Sequence, residues 1–188
     1  MNSPRGDVVV LFLCIFSICE TQSYDFNACP SSRNDFLEVV YGPLAVKCNT
    51  KYKRDLVISV PRITFSHADQ QKFYEVIMID PDAPSATDPK CRSWLHLMLS
   101  DVKGSDLKNG ISPNGITGLN VITAYNPPTP PKGRGYHRYI LAAFGHARPL
   151  NNKKKITERC GFDIDAFTNA HNLNTVPDAS NMFQTITE

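Results

Sequence analysis

The chain has 188 residues, 41% of them apolar and 20% charged, with 14 prolines and 10 glycines. That balance fits one compact domain and excludes a disordered or fibrous chain; folding at this length buries roughly 70% of the surface the unfolded chain exposes. A formal net charge of +2 is too mild to mark a binder of nucleic acid or of anionic membrane.

The first element in chain order is a leader. Arg5 lies in a short polar start, "VVVLFLCIF" (Val8 to Phe16) is an apolar run, and "SICETQS" follows with Thr21 and Ser23 as a −3/−1 pair. This order predicts a secretory signal over residues 1–23. The run is too short to span a bilayer, which takes about 20 apolar residues; a buried strand or helix is the plainer alternative. Residues 24–188 are then a single domain, with 19 basic and 16 acidic residues and a net charge of +3. No comparable apolar run follows, so a soluble exported chain without a transmembrane segment is expected, with the extracellular space as its destination and the lysosome as the alternative.

Cys14 and Cys19 leave with the leader. Cys29, Cys48, Cys91 and Cys160 remain, an even set that predicts two disulfides in an exported protein. Three pairings exist; Cys29–Cys48 with Cys91–Cys160 is adopted on the nearness of the first two along the chain. Zinc is the rival reading, but no two cysteines have Cys-x-x-Cys spacing, so neither metal nor cofactor is expected. The sequence holds no Asn-x-Ser/Thr sequon, so no N-linked glycan is expected.

"NDFLEVVYG" and "RDLVISVPRITFS" have the β-branched and aromatic content of short strands closed by Gly42 and Pro61. "KFYEVIMID" (72–80) predicts a strand buried on nearly both faces. "SWLHLMLSD" (93–101) predicts another. Residues 101–118 are polar and aperiodic, a long connection. "YNPPTPPKGRG" (125–135) is a proline-rich loop that cannot join a sheet interior, and it feeds the apolar strand "YHRYILAAFG" (136–145). "NNKKKITER" (151–159) is the one basic cluster, read as a solvated loop rather than a docking patch. Near the C-terminus, "GFDIDAFTNAHNL" spaces Ile164, Phe167 and His171 as on a helix, with Asp163 as N-cap. The expected fold is mainly β with one or two peripheral helices.

Ionisable groups gather where strands meet stiff loops. Asp80 and Asp82 stand among Pro81 and Pro84, and His96 lies one strand later. Gly133 and Gly135 precede His137, Arg138 and Tyr139. If the strands entered at Trp94 and Tyr136 flank the one ending at Asp80, two imidazoles and two carboxylates meet at one concave end. An imidazole beside a carboxylate favours the charged pair, and prolines limit the entropy lost on binding. Singly, each residue has a structural explanation: Asp-Pro opens turns, and a histidine in an apolar strand is commonly core. Arg138 points opposite to His137 and Tyr139, as a structural ion-pair partner. No Gly-x-Ser-x-Gly, His-Glu-x-x-His or Gly-x-x-x-x-Gly-Lys-type motif occurs, and no nucleophile stands near the acids. Binding is therefore expected rather than catalysis; a metal-dependent hydrolase built on Asp80, His96 and His137 is the enzymatic alternative.

"DPDAPS…DPKCRSWLH", followed some forty residues on by "PPKGRGYHRY", resembles the two signatures of the phosphatidylethanolamine-binding protein family. The resemblance runs from about residue 36 to 186. The leader, "SDVKGSDLKNG" and "PDASNMFQ" are most similar to its secreted branch, phosphatidylethanolamine-binding protein 4. The resemblance implies a large central antiparallel sheet packed on a smaller sheet, with peripheral C-terminal helices. It also implies a pocket for phospholipid head groups or small phosphate-bearing anions, formed by Asp80, Asp82, Pro84, His96, Pro131, His137 and Tyr139 and walled by Trp94. Leu95 stands where relatives often have the first of two histidines. Phe183 stands where a tyrosine commonly closes the pocket, a loss of one hydrogen bond worth about 1 kcal/mol. Family members act mainly by binding; some modulate kinase cascades and some inhibit serine proteases. The expectation is thus a secreted, non-enzymatic, monomeric head-group binder that modulates signalling. A serine-protease inhibitor acting through a surface loop is the alternative, with a protease or signalling protein as partner.

Overall fold

The computed structural model describes residues 24–26, 28–114 and 118–188; the expected leader, residues 1–23, lies outside them. Among the described residues, nine strands form two sheets. β1 (Glu38–Tyr41), β2 (Leu44–Ala45) and β4 (Arg62–Thr64) make the smaller, in the order β2-β1-β4. The larger contains β3 (Thr50–Lys53), β5 (Phe73–Asp80), β6 (Trp94–Lys103), β7 (Asn120–Thr123), β8 (His137–His146) and β9 (Ala179–Ile186), in the order β3-β9-β8-β5-β6-β7. Its pairings are antiparallel except β3 with β9.

Between Glu75 and Asp80, β5 is apolar throughout (residues 76–79) because both its faces are covered. Val76 and Met78 point to one side, with Leu97, Leu99, Leu141 and the smaller sheet's Val39, Tyr41 and Ile63. Ile77 and Ile79 point to the other, with Leu95, Met98, Ile140 and Phe144. The period of two thus sorts one strand's side chains into two cores. Each fully buried aliphatic side chain contributes about 1.5–3 kcal/mol relative to exposure. The second face is capped by α2 (Ile164–Ala170) through Ile164, and Asp163 accepts the Ala166 amide at 2.9 Å as N-cap.

Several local expectations need correction. Within residues 54–66 only Arg62–Thr64 is a strand; Arg54–Leu56 is a 3-10 turn, and the chain becomes extended only beyond Pro61. The connection at 101–118 holds a helix, α1 (Gly104–Asn109), which buries Leu107. The strands β2, β3, β7 and β9 lie in segments where the sequence predicts no element, and β9 is the last described element. The basic segment 151–159 is the exposed loop expected, and it is held to the sheet. The Thr123 hydroxyl donates to the Ile156 carbonyl at 2.9 Å, and Lys155 donates to the Val121 carbonyl. It lies along the β7 edge, covering backbone groups an exposed edge would leave open.

Both disulfides form: Cys29–Cys48 with Cα atoms 5.8 Å apart, and Cys91–Cys160 with Cα atoms 4.5 Å apart. The second ties the loop after β5 to the segment leading into α2.

Candidate functional site

β5 lies between β6 and β8, with Asp80 opposite Trp94 and Ile79 opposite Ile140. The acid thus ends one strand exactly between two others that carry alternating ring side chains: Trp94 and His96 on β6, His137 and Tyr139 on β8. Their shared end surrounds a hollow of about 220 Å³. Its entry loop contains Gly133 and Gly135, whose φ values of 74° and 81° lie in the left-handed region that side chains with a Cβ disfavour. The chain can therefore turn sharply before His137 enters the sheet.

Asp80 is buried, and both its oxygens are engaged. Oδ2 lies 2.8 Å from His137 Nδ1, and Oδ1 accepts the Asp82 amide at 2.8 Å. A carboxylate can only accept, so Nδ1 carries the proton and donates. That leaves His137 Nε2, fully buried, without a hydrogen-bond partner. The buried Tyr139 hydroxyl is also without one; burial, with the charge of Asp80 nearby, pushes its ionisation far up, so it stays a neutral donor. His96 places Nδ1 2.7 Å from the Asn126 carbonyl and its ring 5.1 Å from that of Tyr139, edge to face. Burial lowers its pKa, against the opposing pull of the Asn126 carbonyl and Asp80. A neutral ring with Nδ1 donating keeps its lone pair on Nε2.

Two expected pocket residues lie elsewhere. Asp82 does not line the hollow. Its Oδ2 accepts from the Arg138 amide at 2.9 Å and from Nε at 2.8 Å, and its Oδ1 from Nη2 at 2.5 Å. Burial alone would raise its pKa, but the Arg138 hydrogen bonds and charge outweigh it and hold the carboxyl below the usual range. The alternation that puts His137 and Tyr139 toward the hollow puts Arg138 toward Asp82. Phe183 does not close the hollow either: it is fully buried in the first core, stacked beneath Tyr139 at 5.4 Å. Asp80, Pro84, Trp94, His96, Pro131, His137 and Tyr139 do line it, joined by Ala83, Cys91, Asn126, Thr129 and Pro130. Asn126 and Thr129 lacked a chemical motif; their place in the proline-rich loop was the available signal. Cys91 brings its disulfide into the wall.

A family model described as phosphatidylethanolamine-binding protein matches residues 38–183. The chain belongs to this family. A curated relative, the putative odorant-binding protein A5 of Drosophila melanogaster, is 34% identical over 130 residues, covering 66% of this chain and 57% of that protein's length; the chain thus spans little more than half of it. Among solved structures, a carboxypeptidase Y inhibitor complexed with its cognate proteinase is 26% identical with a TM-score of 0.67, over 82% of this chain and 84% of that one. The phosphatidylethanolamine-binding protein of Plasmodium vivax, 18% identical over 86% and 92% of the two chains, has a TM-score of 0.64 and shares the fold.

The charge of the hollow follows from its lining. Among the described residues no lysine or arginine lines it, because Arg138 is turned away toward Asp82. Its polar lining is Asp80, Asn126, Thr129, two imidazoles and a phenol, beside apolar walls of proline, alanine and tryptophan. A wider groove of about 460 Å³, lined by Lys51, Lys53, Arg54 and Tyr136, is more basic. Its cations are on the surface, where solvent screens them.

Proposed function

We propose that the protein is a secreted, non-enzymatic binder of phospholipid head groups, and that its hollow takes a phosphoethanolamine-type group. The supporting observation is the pair of buried, unpartnered polar atoms, His137 Nε2 and the Tyr139 hydroxyl. An unsatisfied buried polar atom costs about 1–3 kcal/mol; a guest's phosphate oxygens would accept from the Tyr139 hydroxyl, and from His137 Nε2 when the ring carries its second proton, and so remove that cost. A free dianion would meet no fixed cation here, whereas a zwitterionic head group brings its own positive charge. Asp80 has both oxygens occupied and no nucleophile adjoins it, which favours holding over turnover. Export is supported by the leader motif and two disulfides, and "SDVKGSDLKNG" with "PDASNMFQ" supports the phosphatidylethanolamine-binding protein 4 branch. Modulation of signalling by the bound state follows as part of this reading.

The test is calorimetric titration with phosphoethanolamine and, separately, inorganic phosphate. Phosphoethanolamine should bind the tighter, and His137→Ala should weaken it about tenfold or more, the loss of one charge-assisted hydrogen bond. Equal affinity of wild type and variant rejects the assignment.

A second reading, protease inhibition through a surface segment, is favoured by the likeness to the carboxypeptidase Y inhibitor. Inhibition of a protease that survives His137→Ala would separate it from head-group binding.

A further inference from the structure

The opposite end of the large sheet carries a second polar cluster. Glu75 is fully buried on β5. Its Oε1 accepts from the Ser100 hydroxyl and from the Asp101 amide, each at 2.9 Å, and lies 3.2 Å from His146 Nε2. Its Oε2 is buried with no hydrogen-bond partner. Asp101 is aimed by two backbone amides: Oδ1 accepts from Leu150 at 2.7 Å and Oδ2 from Asn151 at 2.9 Å. The register shift between Tyr74 and Val76 and the φ of 57° at Asp101 mark a bulge here, the device by which a strand re-aims side chains.

His146 completes the set. Its Nδ1 lies 2.7 Å from the Arg148 carbonyl, which only accepts, so Nδ1 holds a proton. Nε2 faces Glu75 Oε1 at 3.2 Å, a bond that puts a proton on Nε2 in the empty site, and a cation entering between them would take that proton's place. Phe73 stacks on the ring with centroids 6.2 Å apart. One atom each from Glu75, Asp101 and His146 lies within 4.8 Å of the others.

We propose that Glu75, Asp101 and His146 form a binding site for a divalent transition-metal cation such as Zn2+. A histidine whose other nitrogen donates to a carbonyl is oriented as a metal ligand. Ligand atoms about 2.0–2.1 Å from a tetrahedral ion stand roughly 3.3 Å apart, and the Glu75–His146 separation is already 3.2 Å. The unpartnered Oε2 gives a second oxygen that a cation satisfies. Three protein ligands leave a fourth position for water. An imidazole among carboxylates selects Zn2+ over Ca2+, which takes oxygen ligands. This departs from the metal-free expectation drawn from the cysteines, since the ligands come from three strands and carry no linear motif.

The experiment is calorimetric titration of chelator-treated protein with ZnCl2 and with CaCl2, alongside 15N NMR of the histidine rings. One Zn2+ per chain should bind, with Nε2 of His146 shifting to its metal-bound position, and Ca2+ should not compete. His146→Gln and the near-isosteric Glu75→Gln should each weaken Zn2+ about 100-fold, with folding checked by circular dichroism, while His67→Ala at an exposed site leaves it unchanged. Absence of stoichiometric Zn2+ binding, undiminished affinity in both variants, or a proton retained on His146 Nε2 toward Glu75 at saturating Zn2+ overturns the proposal.

Discussion

Asp80 Oδ2 and His137 Nδ1 lie 2.8 Å apart, both buried, at the junction of β5 and β8. This bond fixes the imidazole tautomer and delivers Nε2 to the hollow. Asp80→Asn keeps one acceptor but sets an amide N–H against either the Asp82 amide or His137 Nδ1. The expected result is a loss of about 1–3 kcal/mol in urea denaturation and weaker phosphoethanolamine binding, as His137 changes tautomer to restore its bond.

Asp82 and Arg138 work as a support behind the hollow. Arg138→Leu strands a buried carboxylate, which costs roughly 3–5 kcal/mol for a fully buried pair. The Arg138 side chain is 27% exposed, so about 2–4 kcal/mol is expected after screening. Head-group affinity should change little, since Arg138 does not line the hollow; a collapse of binding with intact folding would contradict this division of roles.

The same pair sets a response to acid. The Asp82 pKa is depressed in the folded state, so its contribution is complete above the unfolded carboxylate value of about 3.9 and is lost as pH falls through the lower folded value. Melting temperature recorded from pH 5 to pH 2 should fall through this window, and Asp82→Asn should flatten that part of the curve while lowering stability above it.

His96 gives an effect at milder pH. Its folded pKa lies below 6.5 because burial disfavours the cation, with Arg159 and His137 adding to that effect and Asp80 opposing it. Below about pH 6.5 the unfolded chain takes up a proton first, so stability declines until the folded value is passed and then levels. Denaturation midpoints between pH 8 and pH 5 should show the decline in wild type and less of it in His96→Gln.

Cys91–Cys160 spans 69 residues of sequence and Cys91 lines the hollow. Replacing both cysteines with alanine should cost about 4 kcal/mol by loop-closure entropy. It should also weaken head-group binding, because the wall carrying Cys91 is no longer tied to the segment before α2. Thermal melts and titration of the double variant check both.

The strands that hold the site were legible because their chemistry is local. The run 76–79 is apolar throughout since two cores need it, and alternation about Arg138 foretells its turn away from His137. Asp163 announced α2 by its cap. What escaped depended on distant partners. β9 has mixed polarity, with Ser180, Asn181 and Thr185 buried among sheet neighbours, and nothing in its own pattern distinguishes it from loop. Asp82 resembled Asp80 in sequence, and only the approach of Arg138 across β8 separates their roles. Phe183 was expected at the pocket mouth by analogy, but the stacking beneath Tyr139 that places it in the core is a three-dimensional fact.

The central claim is that phosphoethanolamine enters the hollow beside Asp80 and His137. A crystal structure of the protein grown with phosphoethanolamine tests it most directly. The account predicts phosphate density within hydrogen-bonding distance of His137 Nε2 and the Tyr139 hydroxyl. Density only in the basic groove at Lys51 and Tyr136, or a hollow filled by water at saturating ligand, would contradict it.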